Sequence, residues 1–87
     1  HQYIIDILRG TGEFKILNIR SLSQEKHSAF NLSKKMGSKI YDGIFFNCSP
    51  DEFKGVREAL VVYQLKVNRF NHRTSLQLQI LAMKSIS

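Results

Sequence analysis

Ser49-Pro50-Asp51-Glu52 decides the fold, through its chemistry and through its place in the chain. A serine hydroxyl accepts from the free amides at a helix start, proline suits the first helical position, and Glu52 completes a capping box. Gly55 limits this helix to one or two turns. Before it lies a strand-like run from Lys39 to Cys48 with the apolar centre Ile44-Phe45-Phe46. After it come two more alternating segments, about Ala59 to Phe70 and Arg73 to about Lys84. Asn71-His72 separates those two at the length of a two-residue hairpin loop. Asparagine tolerates the left-handed backbone such loops need, whereas histidine is a poorer second residue than glycine.

Toward the N-terminus the dominant period is again two rather than 3.6. Tyr3 to Arg9 reads as a first strand, Gly10-Thr11-Gly12 as a tight turn, and Glu13 to Arg20 as a second strand, so the first two form a hairpin. Ser21 to Gly37 is polar, lacks sustained alternation and reads as a long loop with room for one helical turn. The order is strand, strand, strand, short helix, strand, strand. It predicts an all-β chain with one short helix, folded as a five-stranded OB-fold Greek-key barrel. In that fold the strand 2–3 face and the loops 1–2 and 4–5 bind oligonucleotides. Closure also hides the strand edges that a small all-β chain must protect. An SH3-like barrel has five strands too, but usually no helix after the third.

Residues 1–87 suffice for one domain and are too few for two. Beginning at His1 rather than Met, the chain reads as a piece of a longer protein. Thirteen Lys and Arg against seven Asp and Glu give a net charge of +6, and the pI is near 9.8. Such a balance favours an anionic partner, nucleic acid being the commonest; plain solubility is the other account. Cys48 is the only cysteine, so no internal disulfide forms and a reducing cytoplasm is the expected location. No apolar run approaches the ~18 residues of a membrane span, and no signal-like segment opens the chain, so no membrane partner is expected.

Catalysis finds little support. None of His1, His27 and His72 pairs with Cys48 or a carboxylate at metal-ligand spacing. Gly10-x-Gly12 lacks the rest of any phosphate-binding fingerprint. The signals for nucleic acid converge better. Lys66, Arg69, His72 and Arg73 cluster around the strand 4–5 turn, where cations reach past the sheet toward phosphates. The plain alternative is an ordinary charged hairpin. On strand five, Leu76, Leu78 and Ile80 alternate with Ser75, Gln77 and Gln79. With the leucines inward, Gln77 and Gln79 face out, where they can hydrogen-bond bases or sugars. On strand three, placing Ile44 and Phe46 inward turns Tyr41, Phe45 and Asn47 outward, which would make Tyr41 and Phe45 a stacking platform; aromatic residues are also the usual filling of a core. Phe70 either stacks on a base or closes the barrel end. Lys34, Lys35 and Lys39 form a second basic group that reads as a solvated loop.

Val61-Val-Tyr-Gln-Leu-Lys-Val-Asn-Arg-Phe-Asn-His-Arg-Thr-Ser-Leu-Gln-Leu-Gln-Ile80 resembles the C-terminal OB domain of the single-stranded-DNA-specific exonuclease RecJ. Asp42-Gly-Ile-Phe-Phe-Asn47 is similar to that family's Asp-Ala-Ile-x-Phe-Asn strand. Gly12-Glu13, Leu17, Ile19 and Arg20 fit its second strand more loosely, and Arg20 joins the candidate nucleic-acid contacts. Phe14 and Lys15 stand where the family often has His and Leu, and Asn71-His72 replaces its usual Asn-Gly turn. The Ser21–Gly37 segment reads as a loop longer than most members carry. The resemblance implies a parent enzyme that degrades single-stranded DNA from the 5′ end with a divalent metal, Mn or Mg. The metal-binding Asp-His-His motifs of that enzyme lie in other domains, and none occurs here. The expected partners are single-stranded DNA and the catalytic domains of the parent chain. The fragment would hold DNA without cutting it and contain no cofactor. The competing expectation is a protein-interaction module whose basic hairpin docks on an acidic partner or on the catalytic domains.

Overall fold

A computed structural model describes residues 9–23, 26–34 and 36–86. The strands are β1 (Arg9–Leu22), β2 (His27–Lys34), β3 (Ile40–Phe45), β4 (Glu58–Phe70) and β5 (Arg73–Ser85), with a 3-10 helix at Pro50–Phe53 between β3 and β4. They close into a barrel in the order β1-β2-β3-β5-β4. The β3–β5 contact is parallel, and the other four pairings are antiparallel. This is the Greek-key barrel of an OB-fold. The sequence-based fold class stands, and the capping box is present as read: Ser49 Oγ accepts from the Asp51 amide, and Glu52 reaches back to the Ser49 amide at 3.0 Å.

The first half of the chain is threaded differently from the sequence reading. Residues 1–8, which carry most of the expected first strand, lie outside the described residues. Gly10-Thr11-Gly12 is not a turn: the three residues pair with Tyr63, Val62 and Val61 in the middle of a ladder. Gly10 is needed for close approach rather than reversal, because a Cβ there would lie 2.5 Å from the Tyr63 hydroxyl. One 14-residue strand thus serves two neighbours, β4 through Arg9–Lys15 and β2 through Phe14–Leu22. A register shift between Ile16 and Asn18 lets it bend from one to the other.

Nor is Ser21–Gly37 a long loop. It contains all of β2, and the connection from β1 is only Ser23 to Lys26, entered at Ser23 with φ 45°. The inward positions of β2 are Ser28, Phe30 and Leu32, all buried. A serine in the first of them hid the alternation. It is tolerated because its hydroxyl donates to the Cys48 carbonyl at 2.6 Å, so no buried polar group is left unpaired. The idea of an extended family loop falls with this strand.

The core comprises Phe14, Phe30, Leu32, Ala59, Val61, Leu78 and Ile80, with Phe53 and Val56 of the helical segment packed against it. Phe53 lies edge-on to Phe30 at 6.1 Å, which puts the helix across one end of the barrel. The other end remains open.

Candidate nucleic-acid interface

The β4–β5 hairpin has the form expected from sequence. Phe70 pairs with Arg73, leaving a two-residue loop in which Asn71 and His72 both take left-handed backbone, φ 50° and 63°. Directly opposite residues share a face, so the ladder sorts the candidate side chains. Lys66 stands opposite Gln77, Gln64 opposite Gln79, and Arg73 follows on the same outer face. Arg69 stands opposite Thr74 on the inner face, and those two line a shallow polar depression with Asn71 and His72. Arg69 and His72 therefore gather at the tip, while Lys66, Arg73, Gln77 and Gln79 form a stripe on the outer side. Gln77 and Gln79 are half-buried in that stripe. Arg20 is exposed, opposite Ala29, and belongs to the row that runs through Ile44 to Gln79. Three strand spacings, ~14 Å, separate Arg20 from Gln79.

Strand three has the opposite phase to the one expected. Phe30 stands across from Gly43, and a Cβ at Gly43 would lie only 3.1 Å from Ile80 Cδ1 and 3.3 Å from Leu32 Cδ1. Gly43 therefore points inward, and Tyr41 and Phe45 point inward with it. Both pack against the core: Tyr41 lies edge-on to Phe14 at 6.1 Å, and Phe45 lies 6.2 Å from Phe53. They form no outward stacking platform. Phe46, expected inside, is 46% exposed, beyond the strand's end and before Asn47 at φ 57°. It stacks edge-on with His27 at 5.3 Å, and His27 Nδ1 accepts from the Asn47 amide at 2.9 Å. Phe46, just past β3, and the half-buried His27 of β2 thus form an aromatic pair at the surface. Leu76, expected in the core, is 45% exposed, because the hairpin overshoots the barrel there.

The open end of the barrel holds a cavity of about 300 Å³. Phe14, Tyr41, Tyr63, Leu65, Leu76 and Leu78 line it, and Arg9, Lys34 and Lys39 stand around it. Lys39 Nζ lies 5.3 Å from the centre of the Tyr41 ring. Sequence reading took Lys34 and Lys39 for solvated loop cations and did not select Arg9. The missed signal is the alternation of Phe30 and Leu32, which marks Lys34 as the end of a strand and brings it to the barrel mouth. Lys35 lies outside the described residues.

Elsewhere the chemistry is quiet. Burial pushes the Cys48 thiol up to about 12, the nearby Glu52 carboxylate adding to the shift. At neutral pH it is a protonated thiol, neither a nucleophile nor a metal ligand. Among the described residues no group of three or more His, Cys, Asp or Glu could hold a metal ion. No helix among them is long and apolar enough to cross a membrane.

Comparison with known proteins agrees with this architecture. The family model described as the RecJ OB domain matches residues 9–82. A single-stranded-DNA-specific exonuclease RecJ from Haemophilus influenzae is 36% identical over 72 residues, covering 79% of this chain. Its counterpart from Salmonella typhimurium is 38% identical over 73 residues, again 79% of the chain. The matched segment makes up 12% of each of those relatives. No solved structure gives a significant match. With the closed β1-β2-β3-β5-β4 barrel and a family match over nearly its whole described length, this chain belongs to the RecJ OB-domain family.

Proposed function

We propose that this chain grips single-stranded DNA for a RecJ-like 5′-to-3′ exonuclease and does no catalysis itself. The observation that carries the reading is the sorting of Lys66, Arg69, His72 and Arg73 onto both sides of one projecting hairpin of an OB barrel. Phosphates need cations that reach beyond the sheet, and a hairpin tip supplies them. A flexible strand also offers unpaired base edges to Gln77 and Gln79, which a duplex keeps inside its stack. The parent protein would work in DNA repair and recombination in the cytoplasm. The divalent metal implied by the family, Mn or Mg, fits no donor set among the described residues and belongs to catalytic domains outside this chain. Those domains are the second partner.

A competition binding assay tests the reading. The chain should prefer a labelled single strand to a blunt duplex of the same sequence, and the strand should stay intact when manganese is added. Equal or tighter duplex binding overturns the DNA role. Digestion that co-purifies with the chain overturns the non-catalytic one.

A further inference from the structure

The open end of the barrel has the composition of a nucleotide site rather than of an unfinished core. Its lining is apolar and aromatic, with Tyr41 and Tyr63 each edge-on to Phe14 at 6.1 and 5.8 Å. Three cations, Arg9, Lys34 and Lys39, come from β1, β2 and the connection before β3. They converge on one opening, Arg9 from the start of β1 and Lys34 and Lys39 from either side of the connection between β2 and β3. About 300 Å³ lies at the low end of the ~300–1,000 Å³ typical of small-molecule pockets, room enough for a base.

From the mouth the inner face of the β4–β5 hairpin leads directly to its tip. Leu65 and Leu78 face each other at the barrel edge, then Val67 and Leu76, then Arg69 and Thr74. Val67 and Leu76 are 55% and 45% exposed, an apolar cross-strand pair that the barrel leaves largely uncovered. The path from Leu78 to Thr74 spans four residues, ~13 Å. Apolar floor, aromatic pocket and cations at both ends are the chemistry that an unstacked base with flanking phosphates requires.

We infer that the barrel mouth is a socket for a single unstacked nucleobase of the bound strand, whose flanking phosphate is held by Arg9, Lys34 and Lys39. This rests on the single-strand-binding reading and assigns to it a site that the hairpin alone does not supply. The socket takes the face of a base and leaves its hydrogen-bonding edge unread, so it admits every base and gives grip without sequence preference. Gly10 is part of the construction, since any side chain there would displace the Tyr63 ring from the wall.

Two strands of equal length separate the outcomes, hexathymidylate and an abasic backbone carrying the same phosphates. The barrel has its own closed core, so the 87-residue chain is the protein to use. Hexathymidylate should bind roughly 5- to 150-fold more tightly, the range that stacking one base contributes. It should also shift the ring resonances of Tyr41 and Tyr63 and the methyl resonances of Leu78. Leu76→Trp, which puts a large ring across the opening, should bring that affinity ratio toward one, with a thermal melt to confirm folding. The chain has no native Trp, so the same variant reports on the mouth by fluorescence. Equal binding of the two strands overturns the socket and leaves single-strand binding standing. A base preference that leaves Tyr41, Tyr63 and Leu78 unmoved also overturns it, because the bases are then held elsewhere. Binding of neither strand removes the reading beneath it as well.

Discussion

Replacing Arg69 and Arg73 together by Ala should flatten the slope of log affinity against log salt by about 1.4, at ~0.7 for each phosphate that a single strand no longer has neutralised. Their positions make the experiment more informative than a simple charge deletion. Because the loop is two residues long, Arg69 lies on the inner face opposite Thr74, and Arg73 lies on the outer face opposite Phe70. A strand that crosses the tip touches both, and each single variant then carries about half of the change. A strand confined to the inner face, along the route from the barrel mouth, makes Arg69→Ala carry nearly all of it. Both arginines are exposed, so stability should stay within about 0.5 kcal/mol in a thermal melt. A folded double variant with wild-type affinity and slope would move the DNA site off this hairpin.

The second large effect concerns the strand that the sequence concealed. Phe30 is 1% exposed at the centre of β2, opposite Ile19 on one side and Gly43 on the other. Phe30→Ala should cost ~3–5 kcal/mol by removing a large core side chain. Total stability for 87 residues is on the order of 4–13 kcal/mol, so the variant loses a large share of it and melts far below wild type. If this segment were a solvated loop, the same substitution would stay within about 0.5 kcal/mol. Leu17→Ala, at the 51% exposed bulge position, is the matched control and should be nearly neutral. A denaturant melt of the two variants decides between a β2 strand and a loop.

The same strand shows what was legible beforehand. From Ser49 onward the sequence states much of its structure locally. The capping box, the Asn71-His72 turn and the clean Leu78/Ile80 against Gln77/Gln79 alternation each follow from chemistry within a few residues. Before Ser49 the signals are non-local. Gly10 and Gly12 look like a turn in isolation, and only the Tyr63 ring across the ladder explains Gly10 within a strand. Ser28 looks like loop until the Cys48 carbonyl, 20 residues away, is seen to pair with it. Strand three is ambiguous by construction, since large apolar residues occupy both phases, and the tight fit of Gly43 between Ile80 and Leu32 settles which phase faces in. Among the described residues the element order is the expected one, with Glu13–Arg20 inside β1 and the second strand, β2, lying where a loop was expected. A hairpin lost at Gly10–Gly12 was offset by β2.

The candidate site divides in the same way. Lys66, Arg69, His72, Arg73, Gln77 and Gln79 sit on one hairpin, and their faces follow from parity and turn length alone. The cations at the barrel mouth come from three separate segments, and closure of the sheet is what joins them. The outward aromatics expected of Tyr41 and Phe45 face the core, and the exposed aromatic is Phe46, just past the end of β3.

The central claim is that this barrel holds single-stranded DNA chiefly through phosphates. Anisotropy titration of a labelled thymidylate strand at about 50 mM and about 200 mM salt tests it most directly. With roughly four cations engaged, the slope is about −2.8 and affinity should fall roughly 50-fold across that interval. Affinity that stays level between the two salt concentrations, or no binding at the lower one, would contradict the account.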